Sequence, residues 1–419
     1  MGTLEEEEEE EERSTIKDDQ LAKKAKVSLP VEIIADIFSR LPVKSILRFR
    51  SLSKPWLSHI SHPSFTKLHF TCASAAHRTP LFISTYDYST YKRHFLSAAH
   101  DDSGSVTHLM TLDNACSNDI TNAQHLNGLV CFTCKKGLFN HNYAHIYVLN
   151  PSTHKVFKLT DPDYLMNQDY KNVRLRYLFG FDESRNEHKI LIMKNSLFKP
   201  TTMEIMIFSL SSYSWRTIHL ELPDGFSWDN LKNHDTIKDS VCVNSVVHLA
   251  PCRPYDILAF DLRTEQFSVI RTPQGVAPRK SSTVYTRNGK TLIKDNHPDI
   301  ININGFLGVV CHDRVVESKG MRIWILQDYE KRVWVRETIT FPESWIDLYC
   351  PFPLDAVNMD EIIFSSNKVL RNKVMSVLTY NKKNRCFKSL QFTLGHQFLC
   401  SKAMKVEQIS CYIESLVPL

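Results

Sequence analysis

The sequence predicts a mostly β protein with a small N-terminal α domain: three short helices followed by a β-propeller-like array of antiparallel hairpins. Three observations lead there. Residues 27–70 pack apolar side chains at helical spacing behind well-placed prolines. From about residue 81 that period fades, and short runs of β-branched and aromatic residues replace it. One hairpin unit then recurs six times along the rest of the chain.

Residues 1–26 are read as a disordered acidic tail, because they are charged and small and cannot offset ordering entropy by burial. Glu5 to Glu12 are eight consecutive glutamates. The whole chain has 51 basic and 46 acidic residues; without that run the balance is 51 against 38 (46 − 8), so a basic body carries an acidic tail. Such a body favours acidic partners, and the tail could mask a basic groove. The basic residues are spread out with no nucleic-acid motif among them, so no nucleic-acid partner is expected.

In residues 27–70, Pro30 and Pro42 can each open a helix, where a missing N–H costs nothing. Ser53 suits the cap of a third helix, with Pro55 in its first turn. On a helical wheel, the apolar residues from Val31 to Leu41 span an arc of about 200°, wider than the 100° or so that one buried face needs. Val43, Ile46, Leu47, Phe49, Leu52, Trp56, Leu57 and Ile60 continue the pattern. Domains near 40 residues rarely stand alone. A surplus apolar face is therefore expected, to be covered by a partner or by the following domain. Residues 71–80, small and polar and ending in proline, read as a linker.

Residues 81–419 carry the repeat. An apolar strand, a polar turn and a large apolar residue appear as "TYDYSTYKRHF", "IYVLNPSTHKVF", "IMIFSLSSYSW", "ILAFDLRTEQF", "IWILQDYEKRVW" and "VLTYNKKNRCF". The anchor pairs are Tyr88/Phe95, Leu149/Phe157, Phe208/Trp215, Phe260/Phe267, Leu326/Trp334 and Tyr380/Phe387. Each hairpin exposes one apolar face that neighbours must cover, which predicts a closed ring of about six to eight sheets. Trp215, Phe267 and Trp334 are expected to be buried between blades. The chain lacks a Gly-Gly pair and the Gly-His…Trp-Asp signature, so it is not a standard kelch or WD repeat.

No catalytic motif stands out. There is no GxSxG elbow, P-loop, GxGxxG turn or HExxH helix. Asp161 and Asp163 read as a turn, and His141 and His145 lack a third ligand for a metal. Cys131 and Cys134 have no second pair at similar spacing and read as reduced thiols on a strand. No enzyme activity and no cofactor are expected. With no apolar run long enough to span a bilayer and no signal region, the chain is placed in the cytosol or nucleus, with no membrane partner.

The stretch "SLPVEIIADIFSRLPVKSILRFRSLSKPWLSHISHPSFTKLHF" resembles the F-box of plant F-box proteins, from Val27 to Phe70. The segments "NGLVCF…IYVLNPSTHKVFKL" and "FGFDESRNEHKILIM" are similar to the F-box-associated, kelch-like domain of the same proteins. The resemblance implies a division of labour. The F-box would bind a Skp-type adaptor and, through it, a cullin–RING scaffold. The C-terminal domain would capture an unidentified protein substrate for ubiquitylation. Carried over as adaptor-facing positions are Leu29, Pro30, Ile33, Ile34, Ile37, Leu41, Pro42, Leu47 and Phe49, while Trp56 would pin the third helix to the other two. Pro55 departs from the family's usual small or polar residue there. A non-degradative adaptor protein, or a self-incompatibility F-box protein recognising ribonucleases, would share this architecture. Substrate contacts are expected in the long turn-rich stretches 222–235 and 272–299. The second of these carries Arg279, Lys280, Arg287, Lys290 and Lys294, read as a basic loop that steers an acidic substrate.

Overall fold

Proline sets the start of the N-terminal helices. In the computed structural model, Pro30 and Pro42 sit at the cap positions of α1 (Val31–Ser39) and α2 (Val43–Arg50), with extended backbone (ψ 142° and 145°). Their carbonyls accept the first helical hydrogen bonds, from Ile33 and Ile34 and from Ser45 and Ile46. The structure describes residues 30–52, 54–75, 80–87, 89–99, 104–113, 120–135, 144–160, 173–196, 199–226, 228, 231, 240–250, 256–276, 282–287, 290–295, 298–312, 320–343, 352–358, 360–365, 374–394 and 404–419. The expected cap Ser53 lies outside these residues. Pro55 is in the first turn of α3 (Lys54–Ile60), as the sequence suggests.

A fourth helix was not expected. Residues 63–74 form α4 (Pro63–Ser74). Pro63 takes the first helical position, and the His62 ring accepts a hydrogen bond from the Ser64 amide at 3.3 Å, capping the helix. The last turn of α4 occupies the start of the stretch read as linker. The chain divides into two units, at Ala73/Ser74, and each is taken by itself.

The second unit is a six-bladed propeller. Blade 1 contains β1 (Leu81–Asp87), β2 (Lys92–Ala98) and β3 (Val106–Leu112), with β26 (Met404–Cys411) paired antiparallel to β1. Blade 2 is β4 (Ile120–Leu126), β5 (Leu129–Lys135), β6 (Ala144–Asn150) and β7 (Lys155–Thr160). Blade 3 is β8 (Val173–Asp182), β9 (Glu187–Ser196), β10 (Lys199–Ser209) and β11 (Ser214–Glu221). Blade 4 is β12 (Ser240–Val243), β13 (Val246–Leu249), β14 (Ile257–Asp261) and β15 (Gln266–Ile270). A separate two-stranded hairpin follows, β16 (Ser282–Arg287) and β17 (Lys290–Asp295). Blade 5 is β18 (Asp299–Ile303), β19 (Phe306–His312), β20 (Gly320–Asp328) and β21 (Val333–Thr340). Blade 6 is β22 (Phe352–Asn358), β23 (Glu361–Ser365), β24 (Val374–Asn381) and β25 (Cys386–Thr393). The innermost strands touch in the cyclic order β26, β4, β8, β12, β18, β22 and back to β26, so the ring is closed.

The repeated sequence unit is the outer hairpin of a blade. Phe208 lies opposite Trp215, Phe260 opposite Phe267, Leu326 opposite Trp334 and Tyr380 opposite Phe387. The residue just before or at the start of each outer strand adopts a left-handed backbone: His154, Tyr213, Glu265, Arg332 and Arg385. Asn150, Asp261, Asp328 and Asn381 cap the same turns through side-chain oxygens. The second unit is offset by one residue, with Phe157 opposite Val148 and Leu149 opposite Val156, and the first unit departs from this rule. Tyr88 lies outside the described residues, and Phe95 sits on β2, a middle strand paired with β1 and β3. Because β26 supplies the innermost strand of blade 1, the chain enters that blade one strand later than the others.

The cores lie between blades. Ile146 and Val148 of blade 2 join Ile190 and Ile192 of blade 3, and Ile323 and Ile325 of blade 5 join Ile362 and Phe364 of blade 6. Trp215, Phe267 and Trp334 pack against three such clusters, but each is only half-buried. They stand on outermost strands, where one side of the ring stays wet.

After β26 the chain is clipped to blade 2. Asn150 Nδ2 donates to the carbonyls of Ser415 and Val417, both at 2.9 Å, and Ser152 Oγ lies 2.6 Å from the Tyr412 hydroxyl. The β4–β5 turn makes room for this segment. Gly128 has φ +82°, and a Cβ there would stand 2.0 Å from the Ser415 Cβ. Replacing Gly128 with valine is therefore expected to cost about 3 kcal/mol through backbone strain and displacement of the segment. Urea denaturation measures it; a loss under about 1 kcal/mol would show that the turn does not depend on glycine.

Candidate functional site

The helical unit leaves apolar surface uncovered. Phe38, Val43, Ile46, Ile60 and Phe65 form its buried centre. Phe49 stacks on Phe38 at 4.9 Å and Trp56 leans on the same ring at 5.2 Å, which ties α1, α2 and α3 together. His69 of α4 donates from Nε2 to the Leu41 carbonyl at 3.0 Å. On α1 the buried side of the apolar arc holds Phe38 and Ile34. Ile33 and Ile37, one turn apart on the far edge, remain 47% and 45% exposed. Covering what is still exposed of these two isoleucines on adjacent turns would gain roughly 1 kcal/mol each.

The expected adaptor-facing residues divide into three groups. Pro30, Ile33, Ile37, Pro42 and Phe49 are exposed; Ile34, Leu41 and Leu47 are half-buried; Leu29 lies outside the described residues. Leu52 and Leu57 were not among the expected adaptor-facing positions. Both are exposed, and with Leu47, Arg50, Ser51 and Lys54 they line a shallow depression at the α2–α3 turn. The signal was available: both leucines belong to the apolar pattern, in segments too short for a helical wheel to rank.

On the second unit, the two turn-rich stretches behave differently from each other. Within 222–235, Phe226, Trp228 and Leu231 are buried in the core between blades 3 and 4. The stretch 272–299 contains a β-hairpin and is not simply a loop. Arg279 and Lys280 lie outside the described residues, whereas Arg287 and Lys290 are cross-strand neighbours that close the β16–β17 ladder. Asn288-Gly289 between β-branched runs is a strong hairpin signal, and could have revealed it.

Among the described residues no helix is long and apolar enough to cross a membrane.

Comparison with known families separates the same two units. The F-box domain family matches residues 27–68, and the F-box associated beta propeller domain family matches residues 78–410. The chain is a member of the F-box proteins that carry an associated β-propeller. Relatives in Arabidopsis thaliana include F-box protein At1g53790, 25% identical over 80% of this chain and 69% of its own length. F-box protein At3g57590 is 27% identical over 78% of this chain and 76% of its own length.

In this F-box protein the segments that carried the likeness hold blades together. In "FGFDESRNEHKILIM", Lys189 Nζ donates to Asp182 Oδ2 at 2.8 Å and to the Leu262 carbonyl of blade 4 at 3.1 Å, with both side chains buried. Burial raises the Asp182 carboxyl, but hydrogen bonds from Lys189 and Ser184 outweigh it and hold the group below its usual range. In the same stretch, His188 Nε2 donates to the Leu126 carbonyl of blade 2 at 3.0 Å. Burial lowers the His188 pKa to about 4 despite that bond. His125, half-buried with its Nε2 shielded from solvent and near His188, is lowered to about 4 by burial first and by His188 second. His248 reaches about 4 through burial, aided by Arg332; its Nδ1 donates to the Val241 carbonyl, leaving Nε2 to accept from Tyr329 at 3.3 Å.

Proposed function

We propose that this F-box protein is the non-catalytic substrate-receptor subunit of a Skp adaptor–cullin–F-box ubiquitin ligase, acting in the cytosol or nucleus. The helical unit docks on the Skp-type adaptor, and the propeller captures a protein substrate. The observation that carries this reading is the exposed apolar edge of α1, Ile33 and Ile37, within a domain matched to the F-box family. The β16–β17 hairpin, with Arg287 and Lys290 opposite each other, is the part of the propeller unit offered to an acidic substrate segment.

Changing Ile33 and Ile37 together to aspartate is expected to lower copurification of a Skp-type adaptor at least tenfold, since the lost apolar contacts are worth about 2 kcal/mol and two carboxylates would be desolvated in their place. The exposed positions leave the buried centre untouched, which circular dichroism verifies. Full adaptor recovery by a folded double variant would rule out α1 as the docking face.

A further inference from the structure

The ring closes before the segment that follows β26 begins. β26 pairs with β1 as far as Cys411 opposite Leu81, and the Tyr412 amide then donates to the Pro80 carbonyl at 2.8 Å. Residues 414–419 lie beyond that closure and have no helix, strand or turn of their own. Ser415 is buried, Glu414, Leu416, Val417 and Leu419 are half-buried, and Pro418 is exposed.

Side chains of blade 2 hold this segment by reading its main chain. Asn150 Oδ1 accepts from the Ser152 and Thr153 amides at 2.9 and 3.2 Å, which fixes the side chain within its turn. Both hydrogens of Nδ2 are thereby aimed at the carbonyls of Ser415 and Val417. Ser152 Oγ accepts from the Ser415 amide at 3.1 Å. Main-chain bonds of this kind supply affinity for an extended peptide, while pockets for alternate side chains supply specificity. Here the alternate side chains are Ser415, Val417 and Leu419. Ser415 is fully buried against Gly128, a place that suits a small residue. Val417 and Leu419 pack on the apolar cluster shared by blades 2 and 3.

We infer that this groove on blade 2 is a peptide-binding surface and that residues 414–419 are its displaceable internal occupant. The partner it fits is a linear segment of another protein, with a small residue followed two and four positions on by aliphatic ones. The inference rests on the reading of the propeller as the capturing unit. A tethered occupant competes at an effective concentration on the order of millimolar, so the groove stays covered until a tighter segment arrives.

The test uses a fluorescent peptide of residues 414–419, ESLVPL, with the native chain and a chain ending after Ile413. The shortened chain is expected to bind the peptide at least about tenfold more tightly than the native chain, which carries its own competitor. Asn150→Asp added to the shortened chain should abolish that binding. Aspartate keeps the acceptor that caps the turn, as Asp261 does in blade 4, but offers no donor to the two carbonyls. A second form, the full chain with Val417→Asp and Leu419→Asp, loosens the occupant without removing it and should gain peptide binding as well. Circular dichroism checks that each propeller is folded. No binding by either folded form, or binding that ignores Asn150→Asp, would overturn the inference. Unfolding of both forms would overturn it too, by showing that the segment is a fixed part of the propeller. Adaptor recovery tests the receptor reading separately and stands or falls apart from these outcomes.

Discussion

Acidification from about pH 7.5 to about pH 5 is expected to lower the propeller's unfolding free energy by about 6 kcal/mol. His188 and His248 are buried and His125 is half-buried, and all three are held as neutral rings with pKa values lowered to about 4. In the unfolded chain each returns to about 6.5. Between those values the unfolded state binds the more protons. The stabilisation is therefore complete above about pH 6.5 and is lost as pH falls toward 4. At pH 5 each ring accounts for about 2 kcal/mol. His94 and His108 are also lowered, mainly by burial, and push in the same direction. Urea denaturation at the two pH values measures the effect. His125→Phe, which keeps an aromatic ring against Phe82 and Tyr412, should remove about a third of it. A midpoint that does not move with pH would show that the three rings accept protons in the folded state.

The second large effect concerns the buried pair between blades 3 and 4. Lys189→Met keeps most of the aliphatic stem but removes the ammonium that faces Asp182 and the Leu262 carbonyl. It leaves a buried carboxylate without its cation, at an expected cost of roughly 3–5 kcal/mol. Adding Asp182→Asn should restore part of the loss, because the remaining partners of that position, Ser184 and the Arg185 amide, hydrogen-bond to a neutral amide oxygen as well. A single Lys189→Met variant within about 1 kcal/mol of the native protein would mean that water reaches the pair.

The propeller was legible because its outer hairpins repeat one local pattern, an apolar strand, a polar turn and a large apolar residue that becomes the cross-strand partner, as in Phe260–Phe267. What failed was register at the start of the ring. "MKVEQISC" reads like any other strand, and nothing local marks it as the missing member of blade 1. The burial of Trp215 and Trp334 was overestimated for a related reason: hydrophobicity names the residues that pack, but not which strand of a blade faces outward. Near the helices, Pro30, Pro42 and Pro55 were good guides. Pro63 was passed over, so α4 was missed. The Ile33–Ile37 edge was carried over from the family resemblance, since the helical wheel gave only an apolar arc too wide for one buried face. Leu52 and Leu57 depend on how two short segments meet, which periodicity does not encode.

The placement of β26 also orders events during synthesis. Blade 1 begins to emerge from the ribosome before the other blades, yet it lacks its innermost strand until β26 has been made. Blades 2 to 6 each complete from contiguous sequence and can form in turn, whereas β1 must wait with one edge unpaired. A premature stop anywhere before residue 404 would thus leave a nascent ring open at the same seam, with β1 exposed for wrong pairing.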